Sequence, residues 1–334
     1  VLTASGSSIQ DAAGNALAAN ASATVHFDTV APTAAITPHG IAVNASPITF
    51  TVTFSEPVTG VTLGDLGATG TVSGPLTVGN LQAVSTTVYT VDVTGMASGE
   101  DVTLVLTASG SSIQDAAGNA LAANASATVS FDTTAPSGYS ITADDGLINA
   151  AEQTAASFTF ANAEIGTTYH YSVSSSGGGG PVMGSGMISV ASQQVSGIDL
   201  SSLSEGTITF SVTLTDAAGN IGAAATAVAA LDRTSPTATT TAVVSGSFIE
   251  FTIVFNEAVS GFDVGDLTAT GTVSGALTLS DFTVNSPSSY SVKVGGMTAA
   301  EQVTLRSPTA GSFHDLAGNP AAVDAVFKDF DWTP

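Results

Sequence analysis

Repetition is the feature that most limits what this chain can be. Residues 1–25, VLTASGSSIQDAAGNALAANASATV, recur letter for letter at 105–129, a shift of 104 positions. A second relation links 48–74, ITFTVTFSEPVTGVTLGDLGATGTVSG, to 249–275, IEFTIVFNEAVSGFDVGDLTATGTVSG. A third element is punctuation: FDTVAP ends at Pro32, FDTTAP at Pro136, LDRTSP at Pro236 and FDWTP at Pro334. The marks fall about one hundred residues apart, the size of one small domain. This spacing predicts four segments. Residues 1–31 hold the C-terminal strands of a truncated repeat and a linker, and 32–135 a full domain. Residues 136–235 hold a domain of a second subtype, opening SGYSITADDGLINAAEQ. Residues 236–334 hold a domain of the first subtype and the start of another linker, where Trp332 falls. Identity over 25 residues marks recent duplication in a long array. Val1, with no initiator Met and no signal peptide, reads as a cut point inside a longer protein.

Each unit reads as all-β. In ITFTVTF (48–54), VYTVDV (88–93) and VTLVLT (102–107), apolar and polar residues alternate with period two. Val, Ile, Thr and Phe fill the runs, and Gly, Pro, Ser and Asn break them. About seven such runs per hundred residues predict tandem Ig-like β-sandwiches. The Cys and core Trp of antibody domains are missing, and we expect the sandwiches to form an extended rod. The 334 residues are ample for several cores, and the chain is 43% hydrophobic.

Charge excludes further classes. Asp and Glu number 27 against 4 Lys and Arg, a net charge of −23. So few cations make nucleic acid and anionic lipid poor partners. Cysteine is absent, which excludes disulfides and thiolate metal sites. No apolar run reaches the ~18 residues of a membrane span.

TVTFSEPVTGV, DLGATG, IQDAAGN and FDTTAP together resemble the bacterial Ig-like repeats that build giant secreted and cell-surface adhesins. Many of those are exported by type I secretion. DDGLIN, GTTYHYSVSSSGG, IDLSSLSEGTITFSVTLTDAAGN and LDRTSP resemble a second bacterial Ig-like subtype found in the same arrays. The resemblance covers nearly the whole chain. It implies an extracellular or cell-surface location and rods stiffened by calcium. Its partners would be further repeats of the same chain.

The acidic residues support a calcium reading of their own. In a seven-strand Ig topology, the loop before the last strand lies at the pole where the preceding linker enters. That loop carries Asp115 and Asn119, Asp216 and Asn220, or Asp315 and Asn319. The loop between the second and third strands lies at the same pole. Three junctions result. The first gathers Asp28, Glu56, Asp65, Asp115 and Asn119. The second gathers Asp132, Glu164, Asp216 and Asn220. The third gathers Asp232, Glu257, Asp266, Asp315 and Asn319. Calcium takes six to eight hard oxygens, and almost no Lys or Arg is available to neutralise these carboxylates. Arg233 is the exception, a cation that competes at the third junction or bridges its carboxylates. Asp and Asn before Gly are also ordinary turn residues, so local turn chemistry is the competing reading. A further oxygen site is drawn from Asp144, Asp145, Asn149 and Glu152. Asp145, Gly146 and Glu152 match the tail of an EF-hand loop, but Ile141 and Ala143 stand at its first ligand positions.

No catalytic grouping emerges. His26, His39, His170 and His314 do not recur at matching places, and His26 becomes Ser130 in the identical repeat. Gly184-Ser185-Gly186 reads as a flexible turn within a connecting loop at 174–186. Aromatics are 6%, too few to line a sugar groove; Tyr139, Tyr169, Tyr171 and Trp332 are candidates for exposure. Two rival functions stand beside the rod. One is an extracellular filament or surface-layer subunit, in which Val25 and Phe27 of the orphan segment pair with the sheet edge of a neighbouring copy. The other is a carbohydrate- or protein-binding module.

Overall fold

The computed structural model describes residues 1–307, 312–321 and the backbone of 325–332. Its contacts divide it into two units, Val1–Thr134 with Ala217–Asn220, and Ala135–Asp216 with Ile221–Pro334.

In the first unit the strands are β1 (Ala34–Pro38), β2 (Ala42–Val43), β3 (Ile48–Phe54), β4 (Leu66–Gly70), β5 (Gly74–Pro75), β6 (Thr77–Ala83), β7 (Val88–Thr94), β8 (Glu100–Leu106) and β9 (Ala125–Phe131). They form two sheets, ordered β1-β3-β7-β6 and β2-β9-β8-β4-β5. Alternation decides which face is buried. Ile48, Phe50, Val52 and Phe54 of β3 point inward, and the threonines between them do not. They meet Val91, Val93, Val102 and Leu104 in one core. The short β2 runs parallel to β9, with Val43 opposite Phe131.

Context decides whether the repeated letters become a strand. ASATVSF at 125–131 is β9, paired along β8. ASATVHF at 21–27 has no β8 beside it and forms an isolated bridge at Ala21 but no strand. Phe131 is 5% exposed and Phe27 is 91% exposed.

The second unit begins with β10 (Ser140–Ala143), β11 (Leu147–Ile148), β12 (Ala156–Ala161), β13 (Thr168–Ser175), β14 (Val182–Met187), β15 (Gln194–Ile198), β16 (Gly206–Thr215) and β17 (Ala225–Leu231). Their sheets are β10-β12-β15 and β11-β17-β16-β13-β14, closed over Phe158, Phe160 and Phe210. It continues with β18 (Ala238–Ser245), β19 (Phe248–Phe255), β20 (Val259–Ser260), β21 (Thr268–Gly271), β22 (Gly275–Ala276), β23 (Thr278–Ser286), β24 (Ser289–Gly295), β25 (Glu301–Ser307), β26 (His314–Asp315) and β27 (Ala325–Trp332). These form sheets β18-β19-β24-β23 and β22-β21-β25-β27, with β20 paired to β26. A separate core gathers Phe251, Phe255, Phe262, Tyr290 and Phe313. The all-β sandwich architecture is as the alternation predicts.

Two expectations are corrected. Gly184-Ser185-Gly186 is no flexible turn but the middle of β14, so the 174–186 connection shrinks to residues 176–181. Tyr171 stands opposite Gly184 and Tyr169 opposite Gly186. A Cβ on Gly184 would sit 2.4 Å from Tyr171 Cζ, and one on Gly186 2.7 Å from Tyr169 Cζ. The rings lie over the glycines, stack on each other at 6.5 Å and pack on the core, which holds a glycine-rich edge in strand form. Trp332 lies at the end of β27, with Glu301 opposite, and not in a linker. Its side chain is outside the described residues, as are Thr333 and Pro334.

One buried carboxylate recurs in the first and third repeats. Glu100, 1% exposed, accepts hydrogen bonds from the backbone N–H groups of Val72 (3.1 Å), Ser73 (2.9 Å) and Ala97 (2.5 Å) and from the Ser73 hydroxyl (2.8 Å). Glu301 does the same for Val273 and Ser274. Gly70 and Gly271 leave the room, since a Cβ there would lie 2.3 or 2.1 Å from the carboxylate. These bonds, that of Ser73 foremost, hold the Glu100 carboxyl below its ordinary range.

Candidate metal centre

The linker aspartates share one local shape. Asp28 Oδ1 accepts from the Val30 N–H (2.9 Å), Asp132 Oδ1 from Thr134 (2.8 Å) and Asp232 Oδ1 from Thr234 (3.0 Å). Each is an Asx turn, in which the side chain caps backbone two residues on. The Asp-x-x-Gly-Asn loops are equally local. Asp115 Oδ1 accepts from the N–H groups of Ala117 (2.8 Å) and Asn119 (2.9 Å), and its Oδ2 from Asn119 Nδ2 (2.8 Å). Asp11 repeats these three bonds with Ala13 and Asn15, although no sandwich surrounds it. Turn chemistry alone therefore shapes the loop.

The fold then brings other carboxylates to it. Oxygens of Asp28, Glu56 and Asp115 lie within 4.8 Å of one another, and so do those of Asp232, Glu257 and Asp315. Asp115 and Asp315 are buried. The Asn119 side chain, ahead of backbone N–H groups, holds Asp115 below the usual carboxylate range. Burial, then the charges of Asp115 and Asp28, push Glu56 up. Burial, then Asp232 and Asp315, do the same to Glu257. Like charges crowd these groups, and among the described residues no cationic side chain joins them. Beside the first lies a cleft of about 230 Å³ lined by His26, Asp28, Glu56 and Pro57. An all-oxygen, anionic donor set fits a hard divalent cation that completes its shell with carbonyls and water.

Other candidates are engaged elsewhere. Asp65 Oδ2 accepts from the Thr62 N–H (2.8 Å) and hydroxyl (2.9 Å), closing a capping box on the 3-10 turn Leu63–Asp65. Asp266 Oδ2 accepts from the Asp263 N–H (2.8 Å) in the matching capping box on Val264–Asp266. Asp144 is a hub between strands, accepting from Ser157 (2.6 Å), Thr159 (2.6 Å) and Gln194 (2.8 Å). Asp145 caps Leu147. Asn149 and Glu152 form a reciprocal cap: Asn149 Oδ1 accepts from the Glu152 N–H at 3.1 Å, and Glu152 from the Asn149 N–H at 3.1 Å. Glu164 is exposed. Asp132 also accepts from the Ser98 hydroxyl. Asp216 lies in the second unit and Asn220 in the first.

Arg233 neither competes for nor bridges the third carboxylate group. It turns back, donating to Gln153 Oε1 (2.9 Å) and the Leu203 carbonyl (2.8 Å), with Glu205 4.0 Å from its Nε.

The loop asparagines, expected as ligands, have a donor role that the sequence reading missed. Asn119 Nδ2 donates to the Asp28 carbonyl (3.1 Å), Asn220 to Asp132 (2.8 Å) and Asn319 to Asp232 (2.9 Å). The recurrence of Asn at the loop end, with an Asp in every linker, was the available signal.

Residues 28–131 match the family model described as a bacterial Ig-like domain. No curated protein matches the chain in sequence. Among solved structures, a tetra-tandem repeat from the extending region of a large adhesion protein is 20% identical, with 97% of this chain and 80% of that one covered and a TM-score of 0.29. The Escherichia coli adhesin FdeC is 16% identical over 88% and 95%, at 0.31. InvD of Yersinia pseudotuberculosis is 17% identical over 91% and 98%, at 0.33.

Proposed function

We propose, from the match of residues 28–131 to the bacterial Ig-like domain model, that the chain is a non-enzymatic spacer of a large bacterial surface or secreted adhesin. It would be an extended rod of Ig-like domains, stiffened by calcium at domain junctions. One observation carries this reading: the same three carboxylates, from the linker, the segment after β3 or β19, and the Asp-x-x-Gly-Asn loop, converge twice, at Asp28, Glu56 and Asp115 and at Asp232, Glu257 and Asp315.

These residues would hold the ion, and the ion would supply the positive charge their crowding lacks. A cation bound by a linker and by the loops of the following repeat removes hinge freedom between them. Extracellular calcium sites work at about 10⁻⁴–10⁻³ M, so such sites fill outside the cell and stay empty inside. That would let the chain leave unfolded and stiffen after export. The net charge of −23 keeps parallel rods apart.

Strand exchange with a neighbouring copy, as in a filament, is the second reading. A sugar-binding platform has less support, because Tyr169 and Tyr171 are spent covering glycines.

The test is calcium titration by calorimetry, with melting and small-angle scattering in calcium and in chelator. Two ions per chain, a higher Tm and a longer maximum dimension are expected. Unchanged melting and shape in calcium would reduce the acidic loops to ordinary turns.

A further inference from the structure

A second device at the same poles needs no metal. In the second unit, Asn149 directly follows the short strand β11, which runs parallel to β17. Its Nδ2 donates to the Ala317 carbonyl at 2.9 Å, inside the Asp315–Asn319 loop of the following repeat. The next residue, Ala150, donates its N–H to Asn319 Oδ1 at 3.1 Å. Asn319 Nδ2 in turn holds the Asp232 carbonyl, and the Asp232 N–H returns to the Ile148 carbonyl at 3.0 Å. The circuit closes through both repeats and their linker.

The first unit, which takes in Ala217–Asn220, has the same circuit in outline. Asn44 follows β2, which runs parallel to β9. Its Nδ2 donates to Asn220 Oδ1 at 3.1 Å, Asn220 Nδ2 to the Asp132 carbonyl at 2.8 Å, and the Asp132 N–H to the Val43 carbonyl at 2.9 Å. Val43-Asn44-Ala45 and Ile148-Asn149-Ala150 thus carry one short motif in two subtypes otherwise unlike in sequence.

We infer that these asparagines form a cation-independent lock between successive repeats. The recognising surface is the Asn-Ala step after the short parallel strand. Its partner is the Asp-x-x-Gly-Asn loop of the next repeat. The geometry is specific to amides, because each loop asparagine both donates and accepts, and a carboxylate would meet the linker carbonyl with like partial charge. The lock belongs to the repeats at 32–135 and 136–235. In the third repeat, β18 turns directly into β19 at Gly246-Ser247, with no short parallel strand and no Asn-Ala step among the described residues.

The chain has no cysteine, so a pair introduced at the exposed positions Ser192 and Val284 takes spin labels selectively. Distances between the labels are measured on the full chain in chelator. The parent should show one narrow distribution without calcium. Asn149→Ser keeps an oxygen to cap Ala151 and Glu152 but loses the donor to Ala317, and should broaden it. Ala150→Pro removes only the N–H that Asn319 accepts, at a turn start where proline is favoured, and should broaden it too. The second variant decides the matter if the first disturbs its own repeat. A parent already as broad as the variants, or two variants as narrow as the parent, overturns the lock. Either result is independent of whether calcium binds.

Discussion

Phe313 joins the core of the third repeat to its acidic loop. The ring is 2% exposed and packs edge-on against Phe262 at 4.8 Å and Phe255 at 5.3 Å. Two residues on, Asp315 meets Asp232 and Glu257. Replacing Phe313 with Ala leaves a ring-sized void, and such truncations cost about 3–5 kcal/mol. Against the roughly 5–15 kcal/mol typical of a whole domain, that is a large share. At roughly 4–8 °C per kcal/mol for a repeat of this size, its Tm should fall by about 12 °C or more. In the first repeat Ile113 fills the matching place and is fully buried, so Phe313→Ile should cost much less. Differential scanning calorimetry in chelator resolves the loss, and repeating it in calcium asks whether the loosened loop still gains from the ion. The expected result is one destabilised endotherm with the calcium response of Asp28, Glu56 and Asp115 intact. An endotherm that does not move, or an equal loss in every repeat, would refute the reasoning.

Further outcomes follow from the carboxylates and glycines. Because Glu100 is held below its ordinary pKa, its contribution is present above the unfolded-state value and is lost as pH falls through the depressed folded one; Glu100→Gln should flatten acid unfolding of the first repeat, followed by circular dichroism. Glu56 has the opposite sign, since its raised folded pKa makes ionisation costly as pH rises through the window between the two values. Glu56→Gln should therefore raise Tm in chelator and abolish the calcium-dependent rise, and a fall in chelator would contradict it. Gly184→Val should lower Tm by lifting the Tyr171 ring, visible as a change in tyrosine near-ultraviolet dichroism.

The strands were readable because period two survives in ITFTVTF and VYTVDV, where one face is core and the other water. In β14 glycine hides the period, and the tyrosines that rescue that strand come from its neighbour, so the letters read as a loop. Loop order alone places Asp28, Glu56 and Asp115 at one end, and the fold does bring them together. The same order also names Asp65 and Asp266, and the structure gives each a local partner in its own cap at three-residue spacing. Asn149-Ala-Ala-Glu152 is a capping box that could have been read from its letters. Glu100 gave no such signal: its partners lie 3, 27 and 28 residues away, and only the fold assembles them.

The twin heptads ASATVHF and ASATVSF have a cost during folding. They differ at one position, and Ser130 stands opposite Asp101 at the partly exposed end of β9. Either copy presents β8 with the same apolar teeth. Thr103 at the centre of β8 pairs with Thr128, 25 residues downstream. Thr24 of the twin lies about 79 residues upstream, and loop-closure entropy separates the two closures by only about 1 kcal/mol. For these two closures alone, the entropic bias toward Thr128 is roughly fivefold. A chain that duplicates its repeats faithfully also multiplies the ways one copy can be threaded into another's place.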